Sequence, residues 1–314
     1  MLKNLNNKFK SLYSEKKTQY DLLLSKYKKQ NFSDRLIVSD NKTKTAWAIV
    51  NEINGKPKSG DINIKGDGKT IANRFNDHLM NSVSESLSKL VNIPFSSVII
   101  RNPLCVSLKL VNASEIIEIS KKLKNKLSSG YDELSTSLLK NIINVVVEPL
   151  VHIINNSLKF GIFPDQLKLA IVVPVYKKGD NTNIENYRPI SLLPSFSKIF
   201  EHVMCKRIME FMTEDELLKD CQHGFIRGRS THTAIFQFTK QILESLEDGT
   251  VPLGLFLDLS KAYDTLNHEI LLRKLELYGI RGTALKWIAS YLSKRSQKVT
   301  VGKKMIVLGL INPN

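Results

Sequence analysis

Two short runs of aliphatic and β-branched residues stand among longer stretches of helical spacing, and they constrain the fold most. The first covers residues 170–176 and leads into a polar turn at 177–180, and the second covers residues 251–259. Apolar runs of this length, bounded by glycine and charged residues, are typical of buried strands. We therefore predict an α+β chain in which one strand ends at Tyr176 and another ends at Asp258-Leu259.

Apolar residues at three- and four-residue steps predict helices along most of the remaining chain. The predicted helices cover residues 2–27, 45–53, 71–91, 114–126, 135–159, 195–212, 231–247, 267–278 and 282–292. A break at residues 128–130, a second short extended segment before residue 195 and a hairpin at residues 297–310 complete the prediction.

The charge of the chain limits its partners. Lys and Arg outnumber Asp and Glu by 46 to 30, and the first 60 residues hold 13 basic and 5 acidic side chains, so half of the net charge of +16 lies there. Such a chain is drawn to polyanions, of which nucleic acid is the commonest, although ribosomal and membrane-surface proteins are also basic. The basic face of the first helix lies either along phosphates or in water.

Cysteine usage and hydropathy bear on the compartment. Cys105, Cys205 and Cys221 are widely spaced and form no Cys-x-x-Cys pair, so we expect a reducing compartment and a role for each as a small buried apolar residue. No apolar run approaches the roughly 20 residues of a membrane span, and the lysine-rich start lacks the apolar core of a secretory signal. The sequence predicts an intracellular protein of the nucleus or cytoplasm that does not contact membranes.

Two aspartates are candidates for chemistry. Asp258 closes the second apolar run, where an unpaired buried charge would be costly, so a metal, a basic partner or a helix N-terminus should compensate it. Asp264, six residues later, joins the same site, caps the helix that follows or pairs with a Lys or Arg.

Basic residues form two further candidate groups. Lys177, Lys178 and Arg188 flank the turn after the first strand, and Pro189 stiffens the backbone beside a guanidinium that could fork onto a phosphate. An ordinary surface arginine is the alternative. Residues 222–231 combine glycines, an aromatic ring and two arginines before a helix, which either hold a nucleic-acid backbone or form a plain loop-to-helix junction.

Read in order, six segments carry a family resemblance. They are Lys-Leu-Ser-Ser-Gly-Tyr-Asp-Glu at 126–133, Gly-Ile-Phe-Pro through Leu-Lys-Leu-Ala at 161–170, Pro-Val-Tyr-Lys-Lys-Gly-Asp at 174–180, Asn-Tyr-Arg-Pro-Ile-Ser-Leu-Leu at 186–193, Gln-His-Gly-Phe at 222–225 and Asp-Leu-Ser-Lys-Ala-Tyr-Asp at 258–264. From about residue 123 onward the chain resembles the reverse transcriptases of non-long-terminal-repeat retrotransposons, especially the jockey-like elements. The first 120 residues, including Trp47 and residues 72–76, more loosely resemble the segment between endonuclease and polymerase in these elements.

The resemblance implies a right-hand polymerase fold of which only the fingers and the start of the palm are encoded. Residues 1–110 would form a basic helical N-terminal extension, residues 111–250 a fingers-like region, and residues 251–314 the start of the palm. The implied activity is RNA-directed DNA synthesis, with an RNA template, a DNA primer and deoxynucleoside triphosphates as partners.

The resemblance also assigns roles to single residues. Asp258 would bind both catalytic Mg²⁺ ions, and the Leu259 carbonyl would bind one of them. Tyr263 would crowd the sugar 2′-OH and exclude ribonucleotides. Arg188, with Lys177 and Lys178, would hold the incoming triphosphate. We further expect Arg227 and Arg229 to bind nucleic acid.

The chain also departs from the family pattern. The family continues with a Gly-x-Pro-Gln-Gly-Ser block and a turn bearing two adjacent aspartates, and neither occurs in this sequence. Residues 308–314 stand about where the glutamine block should begin, which predicts a C-terminally truncated chain. One carboxylate cannot clamp two Mg²⁺ ions, so we expect no polymerase activity from this chain by itself.

Two other functions stay open at this point. A non-catalytic remnant could still bind RNA through phosphate contacts and shape. A phosphatase-like enzyme could use Asp258 as a nucleophile, but such enzymes generally carry a second Asp two positions on, where this chain has Ser260.

Overall fold

The computed structural model describes residues 2–53, 62–88, 102–259, 262–263, 265–301 and 305–310. The chain divides into two compact units, Met1–Asp61 and Ile62–Asn314. The domain boundaries predicted after residues 110 and 250 stay predictions.

The first unit consists of two helices, α1 (Leu2–Val38) and α2 (Lys42–Ile53). Both were predicted, although α1 continues eleven residues beyond the last residue of its apolar pattern, Tyr27. The apolar side chains of α1 are exposed between Tyr13 and Tyr27. An ion pair of 2.8 Å between Arg35 and Glu52 joins the end of α1 to the end of α2.

The second unit combines helices with a sheet, as the sequence predicted. Its helices are α3 (Gly68–Ser88), α4 (Ala113–Lys122), α5 (Thr136–Phe160), α6 (Ser195–Glu214), α7 (Thr231–Glu247), α8 (His268–Leu277) and α9 (Gly282–Leu292). Its strands are β1 (Leu169–Tyr176), β2 (Tyr187–Leu192), β3 (Ser296–Val301) and β4 (Met305–Leu310).

The four strands form one mixed sheet in the order β2-β1-β3-β4. Strand β1 pairs with β2 in antiparallel register, with Val175 opposite Arg188, and in parallel with β3, with Ile171 opposite Lys298. Strands β3 and β4 form the predicted hairpin. Helix α3 covers one face of the sheet, in a core built from Ile64, Ile71, Ala72, Phe75, Val172, Tyr187 and Val299.

A larger core lies among the helices. One face of α5 is buried there along its whole length, with Leu139, Ile143, Val147, Leu150, Ile154 and Leu158 spaced by three or four residues. After α5, Phe163 is fully buried, and its ring lies 5.0–5.9 Å from the rings of Phe200, Trp287 and Tyr291. The segment Gly-Ile-Phe-Pro therefore supplies a central core residue.

Helix α5 is also, among the described residues, the one helix long and apolar enough to cross a membrane by length and composition. Its buried face belongs to the larger core of this unit. Packing within the protein therefore accounts for the apolar character of that face.

The prediction of a strand at residues 251–259 is wrong. The segment has no regular secondary structure, and its large apolar side chains are 77–96% exposed, among them Val251, Leu253 and Leu259. A strand is stable only with hydrogen-bonded neighbours and a covered face, and the sheet of the described residues includes no strand paired with this segment. Helix α4 also ends at Lys122 rather than at residue 126, because Leu123 turns to an extended conformation.

The prediction that the cysteines are small buried residues is also wrong. Cys105, Cys205 and Cys221 are free thiols and all three are exposed. Two of them lie outside regular elements, and Cys205 is on a solvent-facing position of α6.

Candidate nucleotide and nucleic-acid site

The hairpin formed by β1 and β2 carries Lys177, Lys178 and Arg188, the basic residues predicted to bind the triphosphate. Three hydrogen bonds fix the conformation of its loop. The Lys177 amide donates to the Asn186 carbonyl at 2.8 Å, and the Asn186 side-chain amide donates to the Asp180 carbonyl at 2.9 Å. The Tyr187 hydroxyl donates to the Asn181 carbonyl at 2.6 Å.

Gly179 is needed at the tip of this loop. Its φ of 93° lies in the left-handed region, and a Cβ there would approach the Asn186 side chain to 2.7 Å. Because Asn186 closes the loop, a larger residue would push against the group that shapes the turn.

Arg188 and Lys177 share one face of this hairpin. Arg188 lies opposite Val175, and the Lys177–Asn186 bond continues the same register. Side chains alternate along a strand, so Val175, Lys177 and Arg188 point to the face that α3 does not cover. Lys177 and Arg188 are diagonal neighbours, whose Cα atoms lie about 7–8 Å apart in a sheet. Lys178 follows in the turn, and all three basic side chains are exposed.

Sequence reasoning missed a further cation on that face. Lys298 of β3 lies opposite Ile171 in parallel register, which places it on the same side as Arg188. Strands β1, β2 and β3 contain no acidic residue. The sheet face opposite α3 therefore combines aliphatic side chains with cations, which suits a phosphate group. The alternation of polar and apolar residues around Lys298 was the sequence signal that could have placed it on one face of a strand.

Asp258 stands in a different environment from the one predicted. It is exposed within the irregular segment 251–259, and no hydrogen bond or ion pair joins its side chain to the other described residues. No group of three His, Cys, Asp or Glu side chains within the described part of the chain could hold a metal ion. The described residues thus supply one carboxylate and the Leu259 carbonyl, which do not fit a centre of two Mg²⁺ ions.

The neighbours of Asp258 are described only in part. Tyr263 is 76% exposed, so its ring is accessible to a ligand. Asp264, which we considered as a second acidic group or a helix cap, lies outside the described residues. Helix α8 instead begins with Asn267 as its cap, whose side chain accepts from the Ile270 amide at 3.0 Å.

The loop before α7 gives its two arginines different surroundings. The Arg229 guanidinium donates to the carbonyls of Lys219, Asp220 and Gln222 and to the Asp220 carboxylate, and is 28% exposed. Arg229 therefore closes the loop, and its binding of nucleic acid stays a prediction. Arg227 is exposed and has no hydrogen-bond partner among the described residues, so its guanidinium is available to a ligand.

Comparison with known proteins supports the resemblance seen in the sequence. A family model described as reverse transcriptase (RNA-dependent DNA polymerase) matches residues 175–312, which include the turn and second strand of the hairpin, the loop before α7 and Asp258. This part of the chain is similar to the reverse transcriptases of non-long-terminal-repeat retrotransposons. The reverse transcriptase domain implies the polymerase fold, in agreement with the mixed helices and sheet of the second unit.

Relatives from Drosophila melanogaster extend the match. The chain is 34% identical over 211 residues to a probable RNA-directed DNA polymerase from transposon BS, covering 64% of this chain and 22% of that protein. It is 30% identical over 178 residues to the RNA-directed DNA polymerase from mobile element jockey, covering 56% of this chain and 19% of that protein. The chain thus spans about a fifth of the length of the curated relatives it matches.

Proposed function

We propose that this chain is the nucleotide- and template-binding portion of an RNA-directed DNA polymerase, and that β1, β2 and the helices around them form its fingers. Arg188 is the principal ligand of the triphosphate of an incoming deoxynucleotide. Lys177 and Lys178 add charge at the end of the same hairpin. The RNA template and DNA primer are the polyanions that match the net charge of +16.

One observation supports this assignment above the others. The hairpin presents Arg188 and Lys177 on the sheet face opposite α3, which carries a third cation, Lys298, and no acidic side chain from strands β1, β2 and β3. A guanidinium on a strand with a fixed backbone can donate two parallel hydrogen bonds to a phosphate with little loss of side-chain entropy. The family match covers this hairpin from residue 175 onward.

The chemistry of nucleotidyl transfer requires groups beyond those described. Two magnesium ions would position the primer hydroxyl and offset charge on the transferring phosphate. Asp258 and the Leu259 carbonyl are the residues of this chain that would contribute to such a centre, and the sequence contains no adjacent pair of aspartates. We therefore propose that this chain binds substrates but does not polymerise by itself.

Substrate binding is tested by titrating the full chain with a fluorescent deoxynucleoside triphosphate. We expect Arg188→Gln to weaken binding about 10-fold or more, since a charge-assisted bond contributes about 1.5–3 kcal/mol. Lys122→Gln is the matched control, because Lys122 is exposed on α4 and, among the residues that the structure describes, forms its ion pair with Glu118 of the same helix. Equal affinity in the Arg188 and Lys122 variants would remove the hairpin from the triphosphate site.

Catalysis is tested by primer extension on an RNA template in the presence of Mg²⁺. We expect no incorporation by the chain, and salt-sensitive retention of the primer–template in a filter or anisotropy assay. Extension at a rate comparable to that of a full-length relative would refute the proposed lack of activity. Failure to retain primer–template at low salt would refute template binding.

A further inference from the structure

Phe225 combines a highly exposed ring with a left-handed backbone conformation. Its side chain is 92% exposed, and its backbone φ of 63° lies in the left-handed region that non-glycine residues rarely adopt. A free phenyl ring on such a backbone contributes nothing to a core. Strained residues of this kind cluster at ligand-binding positions when the surrounding structure holds them in place.

The surrounding loop holds Phe225 firmly. On one side, His223 bridges to α7, with its Nδ1 2.9 Å from the Thr233 hydroxyl and its Nε2 2.7 Å from the Gln237 side-chain oxygen. On the other side, Arg229 binds three backbone carbonyls of the same loop. The ring is therefore presented on a fixed support rather than on a loose loop.

The charge around Phe225 favours a nucleic acid over an apolar protein surface. Between Lys219 and Ser230 the sequence carries three cationic side chains and one acidic side chain, Asp220, which Arg229 engages. The Arg227 guanidinium, two residues after the ring, is exposed and available for a phosphate. An exposed aromatic ring beside a free cation is the combination that binds single strands, since the base stacks while the phosphate is neutralised.

We propose that Phe225 stacks on an unpaired nucleobase of single-stranded RNA, with Arg227 contacting the adjacent phosphate. The inference rests on the proposed function, because it requires that the chain bind nucleic acid. It adds a base-stacking position to a loop for which the residue pattern suggested only contacts with a nucleic-acid backbone. Every base has a stacking face, so this position binds without sequence preference.

The test uses the full chain and a short oligouridylate that carries one 2-aminopurine, whose fluorescence falls when the base stacks. We expect the wild-type chain to quench the probe and Phe225→Leu to weaken RNA binding roughly 5- to 100-fold, the range for loss of one stacked base. Phe225→Tyr and Phe225→Trp should retain both affinity and quenching. Phe160→Leu, at a ring that is 60% exposed at the end of α5, is the matched control and should change neither.

Two further measurements separate stacking from charge and from folding. Heparin is a polyanion without bases, so its affinity should be the same for wild type and for Phe225→Leu. Phe225→Gly accommodates the left-handed backbone without the ring, and should lose quenching and RNA affinity as Phe225→Leu does while melting no lower than wild type.

The outcomes distinguish this inference from the proposed function. If RNA affinity is unchanged in both Phe225→Leu and Phe225→Gly, stacking is excluded, whereas template binding stands. If these variants lose heparin and RNA affinity equally, Phe225 acts only on the shape of the basic loop, and the inference is overturned. If the wild-type chain retains neither polymer, the proposed function itself falls.

Discussion

Gly130 is placed where no side chain fits. A Cβ at this position would lie 2.5 Å from the Pro194 nitrogen and 2.8 Å from the Leu193 carbonyl carbon, both backbone atoms of the segment between β2 and α6. The same contact region includes a hydrogen bond of 2.7 Å from the Ser195 hydroxyl to the Leu134 carbonyl. The Ser-Ser-Gly segment of the family pattern thus joins the loop before α5 to the start of α6.

We expect Gly130→Ala to lower the free energy of unfolding by about 1–3 kcal/mol, because backbone must move to admit the methyl group. Gly224→Ala is the matched control, since a Cβ there meets nothing within 4 Å and its backbone is not left-handed. It should be neutral or slightly stabilising, through reduced freedom of the unfolded chain. Urea denaturation measures both, and equal losses would show that the close approach does not constrain the loop.

Single residues also show where sequence reasoning reaches its limit. Arg188 lies exposed on a strand beside Pro189, as its local sequence indicated, and its binding of a phosphate stays a prediction. The exposure of the cysteines and the hydrogen bonds of Arg229 were harder to predict. Burial and the choice of hydrogen-bond acceptors depend on chain segments that come together only on folding. Lys298 was not predicted as part of the site. It lies on the same sheet face as Arg188 because β1 pairs in parallel with β3, a strand distant in sequence.

Helices α4 and α6 are joined by a buried ion pair. Arg207 is 5% exposed and Glu115 12% exposed, and they form two bonds of 2.7 and 2.8 Å. Hydrogen bonding from Arg207, and then from Lys206, lowers the pKa of Glu115 from 4.5 to about 2. Arg207 also donates to the Lys109 carbonyl at 3.0 Å, so the pair anchors the chain leading into α4.

We expect Glu115→Gln to destabilise the protein by up to about 3–5 kcal/mol, because it removes the carboxylate that accepts two hydrogen bonds from the buried Arg207 and leaves Glu210, at 3.9 Å, as its acidic neighbour among the described residues. The depressed pKa means that the ionised carboxylate stabilises the fold fully above pH 4.5, and that this contribution is lost as the pH falls towards 2. The stability of wild type should therefore fall over this window more steeply than that of Glu115→Gln.

Denaturation midpoints between pH 2 and pH 6 measure this difference. Glu118→Gln is the control, because Glu118 pairs with Lys122 on the exposed side of the same helix, where solvent screens the pair, so its loss should change stability little. Parallel pH profiles for wild type and Glu115→Gln would show that this pair does not account for acid sensitivity.

The elements themselves were predictable to different degrees. Helices α5, α7 and α9 were predicted within one residue of their bounds, because helical spacing and caps are local signals. The apolar run 251–259 carries an equally clear local signal and still forms no strand. A hydrophobic run indicates that its side chains favour burial. A strand also needs a hydrogen-bonded neighbouring strand, and no local sequence pattern specifies that neighbour.

The molecule as a whole combines a strong positive charge with an uncovered apolar segment. Residues 251–259 expose Val251, Leu253, Leu255, Phe256, Leu257 and Leu259, each by 77% or more. Charge repulsion at +16 opposes association, whereas a contiguous apolar patch of this size promotes it. Salt shifts this balance towards association, because it screens charge without weakening apolar contacts.

We expect the chain to self-associate increasingly with protein concentration and with salt, as measured by light scattering. Replacing Leu253 and Leu255 by Lys should reduce this association with no loss of thermal stability, since both side chains are exposed. A variant with Lys at Leu127 and Val145, which are 89% and 82% exposed elsewhere, adds the same charge and should still associate. Identical scattering from the two variants would assign the effect to net charge alone.

The parallel pairing of β1 with β3 has a consequence for synthesis on the ribosome. Leu169 lies opposite Ser296, so 127 residues separate the two partners along the chain. At roughly 5–20 residues per second, about 6–25 seconds pass between the emergence of the first and the second. Throughout that interval the β1 edge of the hairpin that presents Arg188 lacks its partner strand, so this edge is open to pairing with strands of other chains during synthesis.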